Sequence, residues 1–165
     1  MNIGKLLGLA AVFLVLFLVV GRLSQATPQR SLGALLGGLV ASAAGAGLDV
    51  LGHRLGWWYY VGASDAHGPW LVYVGVVFLE GALALLGWRL VRRYGPPALM
   101  LLVPGAALCT TAADFIAAGK PNPVQVIAPG PVPKVGDFLL WSTITALGLL
   151  VMRVFVGRLT GAELQ

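Results

Sequence analysis

The stretch that decides the fold is WLVYVGVVFLEGALALLGWRLV, residues 70–91. A run this long and this apolar can cross a bilayer as one helix, which needs about 20 mainly apolar residues. Glu80 lies at its centre, where an ionised carboxylate is costly unless it is paired or reached by water. We therefore predict that Glu80 faces the interior of a helix bundle, and we treat it as a candidate functional residue.

Four further segments of the chain are long and apolar enough to cross a bilayer. Backbone groups in lipid must be paired within the segment, so each is expected to be a helix. The sequence thus predicts an all-α membrane protein, a five-transmembrane-helix bundle with structured outer loops, forming a single integral membrane domain over residues 1–165. The predicted helices cover about residues 5–23, 32–52, 69–92, 97–118 and 137–157.

The composition supports this class and excludes others. Hydrophobic residues make up 58% of the chain and charged residues 10%, and the mean hydropathy is +0.88, beyond the range of soluble domains. The net charge is +5, but its cations flank apolar segments. That placement suits lipid headgroups and argues against nucleic acid as a partner. The single cysteine, Cys109, excludes an internal disulfide and a thiolate metal cage.

Two interpretations of the first segment predict different topologies. A short basic start, an apolar run and Ser24-Gln25-Ala26 resemble a signal peptide with a cleavage site. Cleavage would place the Arg89, Arg92, Arg93 cluster outside, against the positive-inside rule. A retained helix with its N-terminus outside puts seven basic residues inside and four outside. We therefore favour five helices in the cell inner membrane, with the N-terminus outside and the C-terminus cytoplasmic. The inner residues are Arg22, Arg30, Arg89, Arg92, Arg93, Arg153 and Arg158, and the outer ones are Lys5, Arg54, Lys120 and Lys134.

Small residues dominate the second segment. Gly33 and Gly37 are four residues apart, as are Ala41 and Gly45. This spacing lets helix backbones approach closely. We predict that this helix is the packed centre of the bundle, and a seam between two copies of the chain is the alternative.

The two outer loops carry distinct compositions. The first contains Trp57, Trp58, Tyr59 and Tyr60, which favour a membrane-interface anchor, with a ligand cage as the alternative. The second, residues 119–136, contains five prolines. These prolines favour an ordered, extended segment across the helix ends and argue against a helix there.

The acids converge in depth on the outer half of the bundle. Asp49 and Asp114 join Glu80 as the catalytic candidates if the protein is an enzyme, and Asp137 is expected to cap the fifth helix, with a site role as the alternative. Hydrogen bonding between helices is the structural alternative for Glu80 and Asp114. The partners expected for Glu80 are Thr110, Thr111, Ser142, Thr143 and Thr145, or a water chain leading to Asp49.

The ligand-binding candidates lie close to Asp49. His53 follows it by four residues and shares its helical face. The aromatic residues Trp57, Trp58 and Tyr60 complete the set. No nucleotide-binding, zinc-protease, CxxC or nucleophile-elbow motif occurs, so no metal site is expected and no cofactor is indicated.

Two resemblances rest on these residues. The segment ending in Gly56-Trp57-Trp58-Tyr59-Tyr60, then Gly87-Trp88-Arg89 and Arg92-Arg93-Tyr94-Gly95, resembles an uncharacterised group of small bacterial multi-pass membrane proteins, which implies a five-helix or similar bundle and no activity. The order of Asp, Gly-Trp-Trp-Tyr and an intramembrane Glu also has a faint similarity to the small membrane lycopene cyclases. Those enzymes carry a Pro-x-Glu-Glu type motif, whereas Phe78-Leu79-Glu80-Gly81 lacks the proline and the second acid.

Two functions remain open from the sequence. The first is an accessory or assembly subunit of a larger membrane complex, with the lipid bilayer and other subunits, or a second copy, as partners. The alternative is an enzyme or carrier acting on a lipid-soluble, isoprenoid- or carotenoid-like molecule, with Glu80 as general acid and Asp49 or Asp114 as counter-charge. A proton-coupled transporter is third. A common cavity lined by these acids would favour the enzyme or carrier, and filled packing would favour the subunit.

Overall fold

A computed structural model describes residues 3–62 and 68–156 of the chain. Within those ranges five helices are long and apolar enough to cross a membrane. They are α1 (Ile3–Leu23), α2 (Pro28–Arg54), α3 (Trp70–Tyr94), α4 (Leu99–Ala118) and α5 (Pro131–Val156), with a 3₁₀ turn at Pro96–Ala98 and two short strands, β1 (Trp58–Tyr60) and β2 (Gln125–Ile127). The predicted class, a multi-pass bundle of five helices, is confirmed.

Local sequence signals fix two of the helix ends. Thr27 precedes α2, and its side-chain oxygen accepts a hydrogen bond from the backbone N–H of Arg30 at 3.3 Å. Pro28 at the first helical position needs no hydrogen-bond partner for its nitrogen. At the same end of the bundle, α3 stops at Gly95, whose φ of 81° is easily adopted only by glycine. The α1–α2 and α3–α4 connections are therefore short.

Helix α2 is the packed centre of the bundle, as its small residues predict. It lies between α3 and α5, while α1 packs on α3 and α4 packs on α5. A Cβ atom at Gly37 would overlap the carbonyl oxygen of Gly148 on α5, and one at Gly38 would overlap that of Val77 on α3. The small-residue face is thus used inside one chain, between three of its own helices.

The start of α5 corrects one prediction. Pro131 and Pro133 lie inside the helix, although the proline-rich segment argued against a helix there. The physical reason is that the first turn of a helix leaves its N–H groups unpaired, so proline is tolerated in it. Asp137 therefore lies at the end of the second turn, 3% exposed, and the expectation that it caps α5 is wrong.

The two strands join the outer loops into a ribbon across one end of the bundle. They pair antiparallel, with Trp58 opposite Ile127 and Tyr60 opposite Gln125. The proline-rich segment thus forms ordered structure over the helix ends, as predicted. We call the end of the bundle that the two strands cross the ribbon end. The opposite end, which carries Arg22, Arg30, Arg89, Arg92, Arg93 and Arg153, we call the basic end.

The aromatic run in the first loop is used mainly inside the fold. Trp58 is 3% exposed and packs so closely on α2 that a Cβ atom at Gly52 would overlap its ring. The ring of Trp57 lies against Gly136 of α5 in the same way. Alternation along the strand turns Tyr59 outward, where it is 53% exposed. The prediction of a membrane anchor is therefore wrong for Trp58, which is a core residue of the ribbon end.

Candidate functional site

A cavity of about 400 Å³ lies at the ribbon end, among all five helices. Aliphatic and aromatic side chains make up most of its wall, and three acids from three different helices line it: Asp49 on α2, Asp114 on α4 and Asp137 on α5. The segment between α4 and β2 covers one side. The other lining residues used below are Lys5, Leu6, Leu9, Phe13, Tyr60, Tyr73, Ala113, Lys120 and Trp141.

Asp49 is held by two phenol hydroxyl groups. The hydroxyls of Tyr60 and Tyr73 each donate a hydrogen bond to Asp49 Oδ2, at 2.9 Å in both cases. The hydroxyl of Tyr73 in turn accepts a hydrogen bond from the backbone N–H of Gly68 at 2.7 Å. This chain of bonds ties α2, α3 and the ribbon together around one carboxyl group, which is 7% exposed.

The position of Tyr60 depends on the ribbon and on a glycine. Strand pairing places its ring over Gly68, where a Cβ atom would come within 2.7 Å of the ring carbon Cζ. Burial, followed by the charge of Asp49, raises the pKa of Tyr60 well above its usual value. The hydroxyl therefore stays protonated at neutral pH and remains a hydrogen-bond donor to the acid.

Asp114 and Asp137 differ in the hydrogen bonds that their carboxyl oxygens accept. Trp141 donates a hydrogen bond from Nε1 to Asp114 Oδ2 at 2.8 Å, which links α5 to α4. Thr111 lies beside the carboxyl group of Asp137, yet Oδ2 of Asp137 is buried without a hydrogen-bond partner in the described part of the chain. Buried polar atoms are usually satisfied, and the hydroxyl of Thr111, which also lacks a partner among the described residues, is a candidate donor beside it.

Glu80 lies next to this cavity and does not line it. It is 1% exposed, and Thr145 on α5 donates a hydrogen bond to its Oε1 at 3.1 Å. Oε2 has no partner among the described residues. The prediction that Glu80 faces the interior and contacts a polar group is confirmed, with Thr145 as the partner. Of the three candidate acids, the structure brings Asp49 and Asp114 together and leaves Glu80 apart.

The ligand-binding candidates are also separated. Tyr60 lines the cavity, whereas Trp57 and Trp58 pack on helices behind it. His53 is exposed on the last turn of α2 and lies outside the cavity lining. Asp65 and His67, which follow in the same outer loop of the sequence, lie outside the described residues.

Three cavity residues were missed by reasoning from the sequence. Tyr73 is a polar aromatic residue in an otherwise aliphatic helix, and Trp141 holds Asp114 from α5. These two carried a usable signal, because a hydroxyl or indole N–H inside a membrane helix needs a partner. Lys120 carried none, since its place on the cavity wall follows from the path of the loop. Within residues 3–62 and 68–156, no group of three or more His, Cys, Asp or Glu residues is placed to hold a metal ion.

Comparison with protein-family models, with curated proteins and with solved structures finds no match for this chain.

Proposed function

We propose that this integral membrane protein binds a lipid-soluble molecule that carries a polar end group. The observation that supports this most strongly is the meeting of three carboxyl groups, from three helices, in one mostly apolar cavity of about 400 Å³. That volume lies within the range of small-molecule sites, which are concave, apolar and supplied with a few placed polar groups. The sequence-based criterion for an enzyme or carrier was a cavity shared by Glu80, Asp49 and Asp114, and it is met for Asp49 and Asp114 but not for Glu80.

The acids favour a donor as the polar end of the ligand. Asp49 Oδ2 already accepts two hydrogen bonds and Asp114 Oδ2 accepts one. Asp137 is the third acid on the cavity wall, with Thr111 beside its carboxyl group. A hydroxyl group or a protonated amine on the ligand can donate hydrogen bonds to the carboxyl groups that line the cavity. The apolar remainder of the ligand would lie along Leu6, Leu9 and Phe13 of α1.

The arrangement of the helices supports entry from the bilayer. Helices α1 and α4 both line the cavity, yet each packs on a different neighbour, α1 on α3 and α4 on α5. Both carry exposed apolar side chains outside the cavity lining, such as Val12 and Leu108. We therefore expect a lipid-soluble molecule to reach the acids between α1 and α4. An isoprenoid-like molecule, which the sequence resemblance suggests, fits this route.

Both a carrier and an enzyme are compatible with this proposal. If proton transfer occurs, the acids that reach the ligand are Asp114 and Asp137, and Glu80 is not among them. The expected role as an accessory subunit stays a prediction, because the exposed faces of α1 and α4 suit lipid as well as they suit a partner.

Identification of copurified molecules tests the proposal. The full chain is purified in mild detergent, extracted with organic solvent, and the extract is analysed by mass spectrometry. We expect one lipid-soluble compound to be retained by the wild type and lost from Asp137→Leu, which removes one of the three carboxyl groups on the cavity wall. Glu80→Gln is the matched control, because it alters a buried acid outside the cavity. Loss from both variants, or from neither, would contradict the proposal.

A further inference from the structure

A second recess lies at the basic end, far along α3 from the acid-lined cavity. It has a volume of about 320 Å³ and lies between the turn after α1, residues 23–25, and the last turns of α3. Trp88, Arg89, Arg92 and Arg93 form its α3 side. No acid is among the described residues that line it. It is therefore a strongly cationic recess with no carboxylate of its own to neutralise it.

One of these arginines is fixed in place by the backbone. Arg89 donates a hydrogen bond from Nη1 to the carbonyl oxygen of Leu23 at the end of α1. This bond closes the recess on one side and uses one of the five guanidinium N–H groups. Arg93 lies over the ring of Tyr94, with its guanidinium carbon 5.3 Å from the ring centre. The remaining guanidinium donors of the three arginines are available to a ligand with several acceptor oxygens.

Trp88 forms part of the wall of the same recess. Its Nε1–H is buried and has no acceptor in the part of the chain that the structure describes. Arg30 of α2 lies over its ring, with the guanidinium carbon 5.4 Å from the ring centre, so the indole is held between α2 and the recess. An indole N–H of this kind usually finds an acceptor when it is buried.

We propose that this recess binds the phosphate group of an anionic phospholipid. A phosphate supplies both the negative charge and the multiple acceptor oxygens that three guanidinium groups require. The recess lies where the apolar parts of α1 and α3 end, at Leu23 and Tyr94, both exposed. This is the depth of lipid headgroups, and the exposed apolar face of α1 beside it suits acyl chains. The proposal is independent of the ligand at the ribbon end.

The test compares two pairs of arginines at the same end of the molecule. Arg92→Gln/Arg93→Gln removes two arginines from the recess, and Arg22→Gln/Arg153→Gln removes two exposed arginines outside it, so both variants have the same net charge. Each full-length protein is placed in nanodiscs of phosphatidylcholine, alone or in an equimolar mixture with phosphatidylglycerol. Melting temperature and the phosphatidylglycerol retained in native mass spectrometry are measured.

Phosphatidylglycerol should raise the melting temperature of the wild type by at least about 2 °C. The Arg92→Gln/Arg93→Gln variant, which we call the recess variant, should lose this rise in melting temperature. Its lipid affinity should fall about fivefold for each arginine removed. The Arg22→Gln/Arg153→Gln variant, the control variant, should keep the rise in melting temperature. Arg92→Lys/Arg93→Lys, which keeps the charge and removes the guanidinium groups, should also retain less phosphatidylglycerol, and this variant decides the matter if the glutamine variant fails to fold.

Three results would overturn the proposal. Equal losses in the recess and control variants would mean that general surface charge attracts the lipid. An equal shift with inorganic phosphate in phosphatidylcholine nanodiscs would make free phosphate the ligand. Retention of phosphatidylglycerol by Arg92→Lys/Arg93→Lys and by the recess variant at the wild-type level would leave the recess without a role in lipid binding.

Discussion

At the residue scale, the two hydrogen bonds that Asp49 accepts from tyrosine hydroxyl groups are the ones most open to a direct test. Tyr60 and Tyr73 donate to the same oxygen from two different elements. We expect Tyr60→Phe and Tyr73→Phe each to lower the free energy of unfolding by about 1–3 kcal/mol, because each leaves a buried carboxyl group with one donor fewer. Unfolding in mixed micelles measures the change. Tyr59→Phe, on the exposed side of the ribbon, is the control, and equal effects at all three positions would contradict the account.

The raised pKa of Tyr60 predicts how stability depends on alkaline pH. Below pH about 10 the hydroxyl is protonated in the folded and unfolded chains, so its contribution is fully present. As pH rises further, the unfolded chain loses this proton while the folded chain keeps it, because burial and Asp49 disfavour the phenolate. The folded state then binds more protons, and stability falls with rising pH. Tyr60→Phe should show a shallower fall in the same unfolding series. An unchanged dependence of the free energy of unfolding on pH would contradict this interpretation.

Whether a residue's role was predictable depended on how strongly the bilayer constrains it. Glu80 was placed correctly because a mid-membrane acid must face the interior and find a polar group, here Thr145. The depth of Asp49 and Asp114 was also predictable, and they do share a cavity. Asp137 was misplaced because a helix can begin with prolines, which moved it from the cap into the second turn. Which helix faces meet is set by packing between distant segments, which one sequence does not reveal.

At the element scale, the close approach of α2 to its neighbours predicts a sharp contrast between two glycines. Gly38→Ala should lower the free energy of unfolding by about 1–3 kcal/mol, because its new methyl group would overlap the Val77 carbonyl oxygen on α3. Gly47→Ala, in the same helix, meets no atom within 4 Å. It should be neutral or stabilise the protein by up to about 1 kcal/mol through helix propensity. If both changes destabilise equally, α2 is not packed as described.

The elements themselves were predictable to different extents. The five helices follow from length and hydropathy, and the central place of α2 follows from its small residues. The pairing of β1 with β2 was not predictable, because it joins residues 58–60 to residues 125–127, two short segments far apart in the chain. That pairing also explains why Trp58 is a core residue and Tyr60 a cavity residue. From the chemistry of their rings alone, Trp58 and Tyr60 were as well suited to a membrane anchor as to these two roles.

At the scale of the whole molecule, the distribution of arginines predicts the orientation in the membrane. The basic end should face the cytoplasm and the ribbon end the outside. Tyr59→Cys and Arg93→Cys, each in a Cys109→Ala background, can be tested with a membrane-impermeant maleimide on intact cells. We expect labelling at position 59 and protection at position 93. Labelling at position 93 together with protection at position 59 would reverse the topology.

The central claim, that the acid-lined cavity holds a lipid-soluble molecule, is tested most directly by filling the cavity. Ala113→Phe places a large ring on the cavity wall, and Ala112→Phe places the same ring on the exposed surface of α4 next to it. The measurement is the amount of the copurified compound per protein chain, determined by mass spectrometry after extraction. The account predicts that Ala113→Phe loses the compound while Ala112→Phe retains it at the wild-type level. Retention of the compound by Ala113→Phe at that level would contradict the claim.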